Sequence, residues 1–177
     1  MLHVISSNPF IEFIDIVGYL APFILFFTSI CILRSKSYLF IYYIIGFGLN
    51  ILLNILLKSI IQQPRPKEDI KLINIAKNNG KRISYDVYGM PSAHAQLCFY
   101  SLIYIYLVFK NWNWTIFFYT IISLSTLYQR VKYKNHTLPQ VLVGAFVGAL
   151  FSYLIFFTSK KNIGGKWLKK KEEYALN

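Results

Sequence analysis

The sequence predicts an all-α, integral-membrane helical bundle of about five spans. Three observations predict it. Hydrophobic residues make up 55% of the 177-residue chain and aromatics 18%, an apolar content above that of ordinary soluble domains. The apolar residues gather into runs close to the roughly 20 residues that a helix needs to cross a bilayer. The charges are confined to short islands at the ends of those runs. The length corresponds to one domain. A net charge of +12 on a soluble chain would point to nucleic acid. Here the charge sits between membrane runs, so the reading is no nucleic-acid partner; anionic headgroups or a phosphorylated lipid fit better. Ordinary basic flanking of spans accounts for part of it.

The first span is expected from about Phe10 to Leu33. No basic segment precedes it, and Glu12 and Asp15 interrupt its start, so it reads as a retained span and not a cleaved leader. The second is expected from about Leu39 to Ile61, ended by Pro64 and Pro66. Within it Asn50, Asn54 and Lys58 recur every four residues and form one polar stripe. A lysine at a membrane edge can simply snorkel to the headgroups. The asparagines beneath it and Arg65 beyond it point instead to the bundle interior.

A polar loop covers residues 62–90, with a short helix expected over Asp69–Asn78 and a turn at Asn79-Gly80. The third span runs from about Pro91 to Phe109 and opens on Pro91-Ser92-Ala93-His94. Proline suits a helix start, and the first backbone N–H groups of a helix are free to hold an anion. The fourth span, from about Trp114 to Gln129, leads into Arg130 along a face of Ser123 and Thr126. The fifth runs from about Leu138 to Thr158, where Gly144 and Gly148 form a close-packing pattern. Residues 1–159 thus read as the membrane domain and 160–177 as a loose basic cytoplasmic tail. Trp112, Trp114 and Trp167 suit interfacial positions. Cys31 and Cys98 fall in apolar runs and read as buried free thiols. No Cys/His cluster has zinc-site spacing, so no metal or other cofactor is expected.

Five spans bring Lys58, Arg65, Ser92, His94, Arg130 and His136 to one membrane face. The positive-inside rule barely discriminates, with nine Lys/Arg on one side and ten on the other. The compact basic tail favours a cytoplasmic C-terminus and hence a luminal or external site. Three fixed cations and two histidines suit phosphoryl transfer. Neutral imidazole is a capable nucleophile at phosphorus, and the cations can hold phosphoryl oxygens as charge develops. Each island alone has a plain structural reading as a helix cap or an interfacial residue.

The order of the islands is more specific. Lys58-x6-Arg65-Pro66, then Pro91-Ser92-Ala93-His94, then Arg130-x5-His136 resembles the signature of the type 2 phosphatidic acid phosphatase superfamily, over roughly Leu39 to Tyr153. The resemblance implies a metal-independent phosphohydrolase with a site outside the cytoplasm. It implies that Lys58, Arg65 and Arg130 bind phosphate with help from Ser92 and the backbone at Ala93. It makes His94 the general acid and His136 the nucleophile.

Three positions depart from the family pattern. Ala93 replaces a glycine, Gln129 a serine, and Gln140 the aspartate that orients the nucleophile. Gln140 lies one helical turn from His136, and its carbonyl can accept a hydrogen bond from the imidazole. Tyr88–Gln96 and His136–Val141 resemble the dolichyldiphosphatase branch, which also carries glutamine here. That branch implies hydrolysis of dolichyl diphosphate to dolichyl phosphate at the luminal face of the endoplasmic reticulum. A phosphatase for phosphatidate or another lipid phosphate stays open, as does a non-catalytic lipid-phosphate binder. Glu12 or Asp15 is a candidate to lend His136 the missing negative charge. The sequons at Asn113 and Asn135 are expected to be unused.

Overall fold

A computed structural model describes residues 9–67, 69 and 87–175, with side chains described over 11–67, 69 and 87–162. Among the described residues five helices follow in order: α1 (Pro9–Leu33), α2 (Ser37–Ile61), α3 (Ala93–Phe109), α4 (Trp114–Lys132) and α5 (Leu138–Ala175). Among the described residues there is no strand, only an antiparallel bridge between Pro64 and Tyr88. The chain is an all-α membrane bundle. By length and composition α1, α2 and the Leu138–Asn162 part of α5 are apolar enough to cross a bilayer. The other two differ for a physical reason. α3 has 17 residues, and both α3 and α4 spend interior positions on polar side chains.

α3 is the centre of the bundle and touches each of the other four helices. Its tyrosines build the core: Tyr100 and Tyr104 are fully buried beside Tyr43 of α2. Each phenol finds a partner, as a hydroxyl in an apolar interior must. Tyr100 Oη donates to the Tyr43 carbonyl at 3.0 Å, Tyr104 Oη donates to the Leu39 carbonyl at 2.8 Å, and Tyr43 Oη lies 2.8 Å from Ser101 Oγ. The polar stripe of α2 faces inward as expected, with Asn50, Asn54 and Lys58 all buried. Gln96 answers the two asparagines: its Nε2 donates to Asn50 Oδ1 at 2.7 Å and its Oε1 accepts from Asn54 Nδ2 at 2.8 Å. Large apolar side chains such as Phe13, Phe23, Leu52, Phe146 and Leu150 face outward, the surface a lipid environment requires.

Gly144 and Gly148 pack α5 against α3 as the pattern predicted. A methyl at Gly144 would stand 2.5 Å from the Ser92 carbonyl oxygen, and one at Gly148 would collide with that of Gln96. Trp112 and Trp114 are exposed at the α3–α4 turn; the Trp167 side chain lies outside the described residues.

Several expectations are corrected. Residues after Ser159 continue α5 as helix to Ala175 and are not a loose segment, because no proline follows Pro139, in the first turn, to interrupt it. Pro91 does not open α3. It precedes Ser92, which is the N-cap, after a cis Met90–Pro91 peptide. Cys98 is buried, but Cys31 is on the outer surface of α1. Apart from Asp69, the short helix expected over Asp69–Asn78 and the turn at Asn79-Gly80 lie outside the described residues.

Candidate active site

The site forms where α2, α3, α4 and α5 share one end, and short connections place its parts. After α4, the Arg130 carbonyl accepts from the backbone N–H groups of both Asn135 and His136, at 3.0 and 3.1 Å. Lys134 turns the chain through a left-handed conformation, with φ 53°. This tight reversal brings His136 back over Arg130. After α2, the Gln63 carbonyl accepts from Gly89 N–H at 2.7 Å, beside the Pro64–Tyr88 bridge. That contact sets the Arg65 segment against the entry to α3.

Gln140 joins these parts. It is the third residue of α5, three after Thr137, and its Oε1 accepts from Thr137 N–H at 3.1 Å. A glutamine reaching back to the residue before a helix is half of a capping box. Its Nε2 donates to the Pro64 carbonyl at 2.8 Å and to Gln63 Oε1 at 3.0 Å. Its backbone carbonyl accepts from Ser92 N–H at 3.1 Å. Its Oε1 also lies 3.3 Å from His136 Nδ1. An N–H and a carbonyl have fixed polarity, so Thr137 and Pro64 together dictate which way the amide points. The atom facing His136 is therefore the acceptor. Nδ1 carries the proton, and Nε2 keeps its lone pair.

His136 is 3% exposed and lies in the connection between α4 and α5, outside the spanning helices. Its pKa falls to about 2, first through burial and then through the charges of Arg65, Arg130 and Lys58; the Gln140 bond opposes the fall. The imidazole is thus neutral near pH 7. The same three cations act on His94 in the first turn of α3. Lys58, Arg65 and Arg130 are each at most 8% exposed, so Lys58 is inside the bundle and does not snorkel outward. Ser92 Oγ is fully buried and makes no hydrogen bond within the described residues, although the residue caps α3. Ala93 follows as the first residue of that helix, where N–H groups have no intrahelical acceptor. Buried cations, an unsatisfied hydroxyl and a helix start are groups whose chemistry suits an anion. Among the described residues no group of three or more His, Cys, Asp or Glu is placed to hold a metal.

Two arrangements escaped the sequence reading. Asp69, expected only to begin a short helix, is buried with its Oδ2 2.9 Å from Arg65 Nη1. Its Oδ1 accepts from Asn135 Nδ2 at 2.9 Å, and Arg65 Nη1 also donates to the Asn135 carbonyl at 3.3 Å. The four-residue spacing of Arg65 and Asp69 was the available signal. The side chains of both sequon asparagines are engaged, since Asn113 Oδ1 caps α4 by accepting from Ile116 N–H at 3.0 Å. Gln129, in place of the family's serine, accepts from Arg130 Nη1 at 3.3 Å through Oε1. The idea that Asp15 serves His136 is corrected. Asp15 Oδ2 accepts from Lys132 Nζ at 2.6 Å and Tyr133 Oη at 2.5 Å. No contact joins Glu12 to the site among the described residues.

Three buried cations and two histidines thus gather at one end of a helical membrane bundle. The family model of the PAP2 superfamily matches residues 39–163, and the chain belongs to that superfamily. It is 34% identical over 165 residues to a dolichyldiphosphatase of Saccharomyces cerevisiae, covering 86% of this chain and 65% of the yeast protein. It is 31% and 32% identical to lipid phosphate phosphatases epsilon 2 and epsilon 1, chloroplastic, of Arabidopsis thaliana. Those matches cover 75% and 72% of this chain but 43% of each plant protein. The chain therefore spans less than two thirds of the length of these relatives. No solved structure matches.

Proposed function

We propose that the chain is an integral-membrane lipid phosphatase that hydrolyses the terminal phosphate of a polyprenyl diphosphate, dolichyl diphosphate foremost, through a phosphohistidine. The observation that carries this reading is the buried His136, with its Nδ1 3.3 Å from Gln140 Oε1 and the charges of Arg65, Arg130 and Lys58 acting on it. His136 Nε2 attacks the terminal phosphorus, and the bond from phosphorus to the bridging oxygen breaks. The leaving polyprenyl phosphate takes the bond's electron pair, and His94, entering the step as the imidazolium, gives it a proton. Water then attacks the phosphohistidine and His94 accepts a proton from it. The N–P bond breaks, returning its pair to His136 and releasing inorganic phosphate. Lys58, Arg65, Arg130, the Ser92 hydroxyl and the N–H at Ala93 hold the phosphoryl oxygens. These cations supply the countercharge without a metal.

The similarity to the yeast dolichyldiphosphatase supports the diphosphate substrate. The names of the plant relatives favour phosphatidate or another lipid phosphate as the second reading. Residues 1–159 would form the membrane phosphatase domain and 160–177 a cytoplasmic tail. The resemblance to dolichyldiphosphatases supports the endoplasmic reticulum, with the site on the luminal face. The test is phosphate release by the purified chain in detergent with EDTA, from dolichyl diphosphate, dolichyl phosphate and phosphatidate. Preferential release from the diphosphate, lost in His136→Ala, is expected. Release that survives His136→Ala rejects the nucleophile, and no release from any lipid favours a binding protein.

A further inference from the structure

α1 lies outside the residues matched to the superfamily, yet one of its turns lies against the site. Three consecutive contacts fix that turn. Asp15 binds Lys132 and Tyr133, which follow Arg130 at the end of α4. One turn on, the Gly18 carbonyl accepts from Thr126 Oγ1 at 3.0 Å. The two helices meet so closely there that a methyl at Gly18 would stand 2.7 Å from the Ser125 carbonyl oxygen and 2.8 Å from Gln129 Cβ. The next residue, Tyr19, has its ring centroid 6.0 Å from that of His94, at 36°. A ring held on one side by an aromatic neighbour loses rotational freedom, and general acid catalysis depends on that aim.

We infer that this turn of α1 sets the aim of His94, with Tyr19 as a positioning residue for proton delivery to the leaving oxygen. The inference rests on the proposed role of His94 as general acid. Asp15 and Gly18 lock the depth and rotation of α1 against α4, and Tyr19 transmits that placement to the imidazole. None of the three touches the phosphoryl group in this scheme. Their effect should therefore appear only where the leaving group needs a proton.

The experiment compares kcat/KM of the full chain in detergent for a monoalkyl phosphate and for p-nitrophenyl phosphate. An alkoxide leaves poorly without a proton, whereas nitrophenolate leaves readily with none. Gly18→Ala, Tyr19→Ala and His94→Ala are measured beside the unaltered chain. Tyr19 is 55% exposed, so its truncation tests the contact even if Gly18→Ala fails to fold. Gly18→Ala and Tyr19→Ala are expected to lower the alkyl value by about tenfold to a hundredfold, and the aryl value by less than about threefold. His94→Ala should show the same selectivity more strongly. Equal losses on both substrates, or none, in the two α1 variants while His94→Ala stays selective would overturn the inference alone. Equal losses in His94→Ala would remove the general-acid reading, and this inference with it. An unaltered chain active on dolichyl diphosphate but on neither of these substrates would overturn the inference alone, and one inactive on all three would overturn both.

Discussion

Gln140 Oε1 lies 3.3 Å from His136 Nδ1, and the direction of that bond is dictated by two backbone groups. A carboxylate in the same place offers only acceptors. It would satisfy His136 and Thr137 but face the Pro64 carbonyl with negative charge.

Gln140→Glu is therefore expected to damage the site despite its matching shape. Losing the bond to Pro64 and opposing two acceptors should cost about 1–3 kcal/mol of stability. Thermal unfolding in detergent reads that loss. An unchanged melting temperature would show that the segment at Pro64 relaxes freely.

Acid should weaken the fold through His136. Its pKa is near the ordinary value when unfolded and falls to about 2 when folded. Between those values the unfolded chain binds a proton that the folded chain does not, so stability drops as pH falls below about 6.5. Above that value the histidine contributes no pH dependence. Unfolding measured from pH 7 to 4 should show a shallower decline in His136→Asn than in the unaltered chain.

Asp69→Ala should weaken both anion binding and the fold. It removes a buried carboxylate partner of Arg65 and the acceptor of Asn135 Nδ2. The expected loss is about 3 kcal/mol, with a smaller one for Asp69→Asn, which keeps an acceptor but no charge. Orthovanadate binding should weaken in Asp69→Ala as Arg65 loses its fixed direction. Unfolding and vanadate titration check the two effects separately.

Gln96→Leu should destabilise the bundle through the interior of α2. Asn50 and Asn54 would each lose a side-chain partner among apolar neighbours. Interhelical hydrogen bonds in membranes contribute modestly, so a loss of about 1–2 kcal/mol is expected. Resistance to detergent unfolding measures it.

The bundle was legible in the sequence because span length and helical periodicity are local properties. Asn50, Asn54 and Lys58 at four-residue spacing announced an inward stripe, and the structure buries all three. Gly144 and Gly148 likewise announced close packing. The joins between islands were less legible. Thr137-x-x-Gln140 is a readable capping box, but nothing local says that the far side of the amide meets Pro64, 76 positions away. The sequence offers Glu12 or Asp15 only as candidates for His136, because topology gives their membrane face and not their helix contacts. The companions Asp15 has, Lys132 and Tyr133, depend on how α1 rotates against α4. Helix α5 ran past its expected end because composition alone separates apolar from basic and does not separate helix from coil.

The seam of α3 and α5 bears on how the molecule tolerates its surroundings. Ser92 and His94 enter on one helix, while His136 and Gln140 enter at the head of the other. Where Gly144 and Gly148 meet the carbonyls of Ser92 and Gln96, main chain abuts main chain. Atoms at such a contact have no rotamers to exchange. Changes in bilayer thickness or temperature can rearrange the outward phenylalanines and leucines, while the width between the two histidine-bearing elements stays set by covalent stiffness. The seam acts as a gauge block, so precision at the reacting centre need not depend on order at the periphery.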